Sequence, residues 1–125
     1  MSNIESLVIE GTINTPSITF DTEKNIFEIA GKSMPEDAVT FFKPVESWVK
    51  QFAESSIDEA KFDIRLEYFN TASSKLILGL IKKIAESGAS ITIDWYYMED
   101  DEDMQEVGEH LASILGEDVV NIILI

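Results

Sequence analysis

Phe62-Asp-Ile-Arg-Leu-Glu-Tyr-Phe-Asn-Thr-Ala-Ser-Ser-Lys75 is the stretch on which the fold turns. Phe62, Ile64, Leu66 and Tyr68 alternate with Asp63, Arg65 and Glu67, the period of a strand with one apolar and one polar face. The strand then runs into a hydroxyl cluster, Asn70 to Ser74, that opens an amphipathic helix in which Ile77, Leu80, Ile81 and Ile84 form one stripe. Ile91, Ile93, Trp95 and Tyr97 repeat the alternation against Thr92, Asp94 and Tyr96. A sheet covered by helices on both faces needs nearly continuous apolar strands, so the repeated alternation predicts a two-layer domain with helices mainly on one face.

Working outward, residues 5–9, 17–20 and 26–30 read as short strands, with polar turn chemistry from Asp21 to Asn25. Ser33-Met-Pro-Glu36 matches a capping box and predicts a helix start there, interrupted or restarted at Pro44. Val45, Trp48, Val49 and Phe52 then give a helical stripe over about residues 44–55. The helix after Thr71 is expected to end at Gly88. Met104, Val107, Leu111, Ile114 and Leu115 predict a last helix stopped by Gly116, and Val119 to Ile125 reads as a closing strand. The expected order is β-β-β-α-β-α-β-α-β in a mixed sheet.

The 125 residues, 45% of them hydrophobic, suit one domain spanning 1–125. A formal charge of −15 opposes nucleic-acid backbones and anionic membrane surfaces and favours a basic partner surface. The absence of cysteine removes disulfides, thiolate catalysis and cysteine zinc sites. Met-Ser-Asn-Ile-Glu has neither the basic nor the apolar region of a signal peptide, and no apolar run is long enough to span a bilayer, so a cytoplasmic protein is expected.

A helix start exposes unpaired N–H groups at the positive end of the macrodipole, a natural place for a phosphate. Thr71, Ser73 and Ser74 are accordingly candidate phosphoacceptors; N-capping by Asn70, Thr71 or Ser73 is the competing structural role. Lys75 lies one turn from Thr71, and Glu67 adds negative potential four residues before it. Gly79 costs about 1 kcal/mol relative to Ala inside a helix, which points to close packing or to a surface that a partner approaches. Tyr96 is the one aromatic of its cluster directed to the polar sheet face. Partner contact is therefore assigned to Glu67, Asn70, Lys75, Gly79 and Tyr96.

Other chemistry finds less support. Glu99-Asp-Asp-Glu-Asp103 lacks the ligand alternation and central Gly of an EF-hand loop, and carboxylates there complement a helix dipole without an ion. A small metal-dependent or ligand-binding protein using this loop is the alternative reading. His110 is the one histidine, at the edge of its helical stripe, with no nucleophile placed beside it. Ala72 stands three residues before Lys75, so the Ser-x-x-Lys spacing of acyl enzymes is missing, and no Gly-rich phosphate cradle occurs. No catalytic residue, metal or cofactor is expected.

Five blocks carry a resemblance. They are Thr15-Pro16 with Ile18 and Phe20, Gly31-Lys-Ser-Met-Pro-Glu36, Phe41-Phe42-Lys-Pro44 with Trp48, Tyr68 to Lys75, and Trp95 to Met104 followed by Glu106, Gly108 and Glu109. With these the chain resembles the SiaC family of bacterial regulatory phosphoproteins, similar in layout to STAS-like switch proteins. The resemblance implies a non-enzymatic partner switch in cyclic-di-GMP signalling and biofilm regulation. It further implies, by motif match, that a cognate Ser/Thr kinase phosphorylates Thr71, that a PP2C-type phosphatase removes the phosphate, and that the unphosphorylated form binds and activates a diguanylate cyclase. Ala72 departs from the Ser expected after the acceptor, which leaves the acceptor itself in place.

Overall fold

The computed structural model describes residues 4–125. Along the chain run β1 (Leu7–Ile9), β2 (Ser17–Asp21), β3 (Ile26–Ser33), α1 (Ala38–Ala53), β4 (Glu59–Phe69), α2 (Thr71–Ala85), β5 (Ser90–Tyr97), α3 (Glu102–Leu115) and β6 (Val120–Leu124). The predicted order is the observed one. The strands form one sheet in simple sequence order, β1 to β6; the first two pairings are antiparallel and the remaining three parallel. Each parallel step is spanned by one helix, and right-handed crossovers that never reverse direction put all three helices on the same face. That order also has no switch point, the place where open α/β sheets form their ligand crevice.

The core lies between that face and the helices. Phe20, Phe27, Trp48, Phe52 and Phe62 form a continuous aromatic cluster, with Phe27 and Phe62 stacked at 4.9 Å and Trp48 and Phe52 at 5.4 Å. Trp95 is fully buried under α3 and donates its indole N–H to the Met104 carbonyl at 2.9 Å. The other sheet face carries charge: Arg65 pairs with Glu28 at 3.6 Å and lies 3.8 Å above the Tyr96 ring. Beside them the buried Asp94 carboxylate takes Lys61 at 3.1 Å and the Asn121 amide at 3.0 Å.

Four local expectations are corrected. Ser33 does not cap a helix, because β3 continues to it and pairs it with Phe69; α1 starts four residues later, where the Asp37 carboxylate accepts the Thr40 N–H at 3.1 Å. Pro44 neither interrupts nor restarts α1. It is exposed, as is Thr40, whose carbonyl loses its partner on the side where water replaces it. Tyr68 is half exposed, since the register shifts between Gly31 and Lys32: Leu66 faces Gly31, Tyr68 faces Lys32, and Glu67 is the extra residue of a bulge. Phe69 consequently turns inward, 6.3 Å from Trp95. The buried stripe of α3 is Met104, Gly108, Leu111 and Ala112, while Ile114 is exposed. A bare glycine is what lets α3 rest on the Trp95 ring.

Two glycines therefore predict opposite signs. A Cβ on Gly108 would stand 2.5 Å from Trp95 Cδ1, whereas one on Gly79 meets nothing within 4 Å. Gly108→Ala is expected to destabilise by about 1–3 kcal/mol and Gly79→Ala to stabilise by up to about 1 kcal/mol in urea unfolding. The cap gives a pH test. The Thr40 backbone N–H, then its hydroxyl, hold the Asp37 carboxyl below its ordinary 3.8. Its contribution is complete above that value and is lost as pH falls through the lower folded-state value. Asp37→Asn keeps a capping acceptor that does not titrate, so its stability should fall less steeply than wild type below about pH 4.

Candidate functional site

β3 and β4 end side by side, and α2 leaves directly from the end of β4. Two hydrogen bonds fix that departure: the Asn70 N–H donates to the Ser33 carbonyl, and the Ser33 hydroxyl donates to the Ser73 hydroxyl, each at 2.9 Å. Both serines are fully buried. Asn70 is the N-cap, its side-chain oxygen accepting the Ser73 N–H at 2.9 Å and its carbonyl accepting the Ser74 N–H at 2.9 Å. The capping role open to three residues in the sequence thus falls to Asn70.

These contacts sort the hydroxyls. Ser73 is sealed inside and already bonded, so a kinase reaches it only if the start of α2 opens. Ser74 is half-buried and donates to the Thr71 carbonyl at 2.9 Å. Thr71 is exposed at the first helical position, and among the described residues its hydroxyl has no hydrogen-bond partner. Of the first-turn N–H groups, those of Ser73 and Ser74 are used by Asn70, which leaves those of Thr71 and Ala72 without a backbone or capping partner among the described residues, at the positive helix end.

Lys75 is exposed one turn along and makes no ion pair among the described residues. Glu67 is exposed at the bulge, and Gly79 is half-buried with open space before it. Tyr96 is the outlier among the assigned residues: it sits on the sheet face opposite the helices, covered by Arg65. Sequence reasoning missed Ser33 as a functional support because its match to a capping box pointed to a different role. The acidic run is a helix start, with Asp101 accepting the Met104 N–H at 3.0 Å and Glu102 and Asp103 in the first turn. Among the described residues, no three His, Cys, Asp or Glu side chains gather to hold a metal ion.

Comparison with known proteins gives the family and the fold. Residues 9–124 match the model of the SiaC family regulatory phosphoproteins. The chain belongs to the SiaC family. An uncharacterised protein of Pseudomonas aeruginosa strain UCBPP-PA14 is 31% identical over 109 residues, 85% of this chain and 86% of that protein. SiaC in the crystal structure of diguanylate cyclase SiaD with its activator SiaC, from P. aeruginosa, superposes with a TM-score of 0.85 at 27% identity, covering 95% of this chain and 99% of that one. Apo-SiaC of the same organism gives 0.79 at 29% identity, covering 95% and 98%.

The buried serine pair generates a test. Ser33→Ala or Ser73→Ala alone strands one buried hydroxyl and should cost about 1–3 kcal/mol, while the double variant should cost less than the two losses added. Urea unfolding of the four proteins in a cycle measures the coupling.

Proposed function

We propose that this chain is a non-enzymatic, cytoplasmic partner-switching regulator whose state is set by reversible phosphorylation of Thr71. The observation that carries the reading is the exposed Thr71 hydroxyl at the first position of α2, without a hydrogen-bond partner among the described residues, beside a Ser73 that is sealed away. A cognate Ser/Thr kinase adds the phosphate and a PP2C-type phosphatase removes it. The unphosphorylated form binds and activates a diguanylate cyclase, and so acts in cyclic-di-GMP signalling and biofilm regulation. Kinship with the SiaC that activates a cyclase in P. aeruginosa supports the choice of target.

The energetics suit a switch. A phosphate adds about −1.5 to −2 charge and three acceptor oxygens to a surface that accommodates a neutral hydroxyl. Moving a target from mostly bound to mostly free needs an affinity change of about 100-fold, roughly 2.7 kcal/mol. Removing a dianion from water at an interface, with Glu67 nearby, is of that order.

The test is intact-mass spectrometry with site mapping after co-expression with the kinase, followed by capture of the cyclase by each phosphoform. One phosphate on Thr71 and loss of capture are expected. Thr71→Ala should resist the kinase and bind constitutively, and Thr71→Asp should imitate the phosphate in part, having one charge and a different shape. Stoichiometric phosphorylation of Thr71→Ala, or equal capture of both forms, overturns the assignment.

A further inference from the structure

β3, β4, β5 and β6 run parallel and therefore finish at one end of the sheet, where α1, α2 and the loop into α3 begin. The β1–β2 loop lies at the same end, because Ser17 pairs with Ala30 near the close of β3. Nine large hydrophobic side chains are exposed among the described residues, and six of them sit there: Ile13, Val39, Tyr68, Met98, Leu124 and Ile125, each at least half exposed. Scattered apolar residues are ordinary on a surface, but a concentration at one end marks a place where another molecule binds. Thr71 stands within this end, at the head of α2.

Hydrogen bonds tie these segments together. The Asn70 N–H donates to the Ser33 carbonyl at 2.9 Å, and Met34, which follows Ser33, donates its N–H to the Asn14 carbonyl at 2.6 Å. Ile13 precedes Asn14 at the tip of a turn closed by Thr12, whose hydroxyl accepts the N–H groups of Asn14 at 3.2 Å and Thr15 at 3.0 Å. Ile13, 84% exposed, is thus held out on an ordered support, which lowers the entropy lost when a partner covers it. Thr71 itself is not presented as an extended peptide, since Asn70 is bonded to Ser33 and Ser73 is locked to the Ser33 hydroxyl.

We propose that this end of the sheet is the docking surface of the kinase that modifies Thr71, an apolar rim read as folded surface and not as a linear motif. The inference rests on the reading of Thr71 as the phosphoacceptor. An enzyme that reaches the Thr71 hydroxyl has to cover what surrounds it, and the local chain cannot be drawn out into a peptide groove while Ser33 holds it. A neutral hydroxyl also offers no charge by which to be chosen, and Ser74 lies three residues on, so selection has to come from the rim. A phosphatase, by contrast, meets a dianion that supplies its own handle. Glu99 and Asp100 are exposed beside Met98, so the kinase surface that fits is apolar with a cationic border. In the docked complex the Thr71 hydroxyl oxygen bonds to the terminal phosphorus of a nucleoside triphosphate as the bond to the diphosphate leaving group breaks, and its proton passes to a base of the kinase.

The experiment is the initial rate of phosphorylation of full-length protein by the cognate kinase, read by intact mass over a range of protein concentrations, beside capture of the diguanylate cyclase by the unmodified form. Ile13→Asp, Val39→Asp and Met98→Asp are compared with Ile26→Asp, which adds the same charge at an exposed position on the opposite end of the sheet; thermal melting checks each fold. The three rim variants should each raise KM about tenfold or more, with kcat, melting and cyclase capture unchanged, and Ile26→Asp should behave as wild type. Rim variants phosphorylated with the wild-type kcat/KM overturn the docking surface and leave Thr71 standing as the acceptor. Rim variants that lose cyclase capture in parallel overturn the kinase as occupant in favour of the cyclase. Wild type that gains no phosphate on Thr71 overturns both the rim and the reading of Thr71 on which it rests.

Discussion

The hydrogen bond between the Ser33 and Ser73 hydroxyls joins residues forty positions apart in the chain and lies wholly out of water. Breaking it leaves a buried hydroxyl unsatisfied, so the end of β3 and the start of α2 are held as one unit. That unit requires the bulge at Glu67: without the extra residue Phe69 would keep its original alternation and face away from Trp95, and Asn70 would not meet the Ser33 carbonyl. Asn70 then caps Ser73 and Ser74, and Thr71 is left as the fully exposed hydroxyl of the turn.

Above this unit the layering follows from topology. Because every parallel crossover steps the same way, the sheet keeps one bare face, and Lys61 and Arg65 of β4 and Asp94 of β5 are used there in pairs and a stack. The helix layer is pinned at its far end by Gly108 against Trp95. Gly108 thus decides how closely α3 sits on β5.

Elements with a strong period were legible in the sequence: the alternation of Phe62 to Leu66 and Ile91 to Trp95, and the stripe of Ile77, Leu80, Ile81 and Ile84, all stand as read. Illegible features depended on contacts between distant segments. The bulge is a relation between two strands, so alternation along β4 alone carried Tyr68 to the wrong face. Ser33 followed three residues later by Glu36 is a true capping pattern overridden by pairing with Phe69, which is why the α1 cap passed to Asp37. Local chemistry offered Thr71, Ser73 and Ser74 alike, and the separation of exposed Thr71 from buried Ser73 was invisible, because both are hydroxyls on one turn and Ser73 is bonded to the distant Ser33.

The net charge constrains how a phosphate can matter. On a chain of formal charge −15, two more negative charges change the total by a small fraction, and at physiological ionic strength fields between exposed charges fade beyond about 8 Å. A switch at Thr71 therefore cannot act by raising overall repulsion; it has to act within about a turn or two of α2. Along β4 and α2 themselves, the nearest groups are the N–H groups of Thr71 and Ala72, Lys75 and the bulged Glu67. Three of these attract a phosphate and one repels it, so the modified side chain is held down on its own helix, and the neutral surface that precedes modification is the one free to meet a partner.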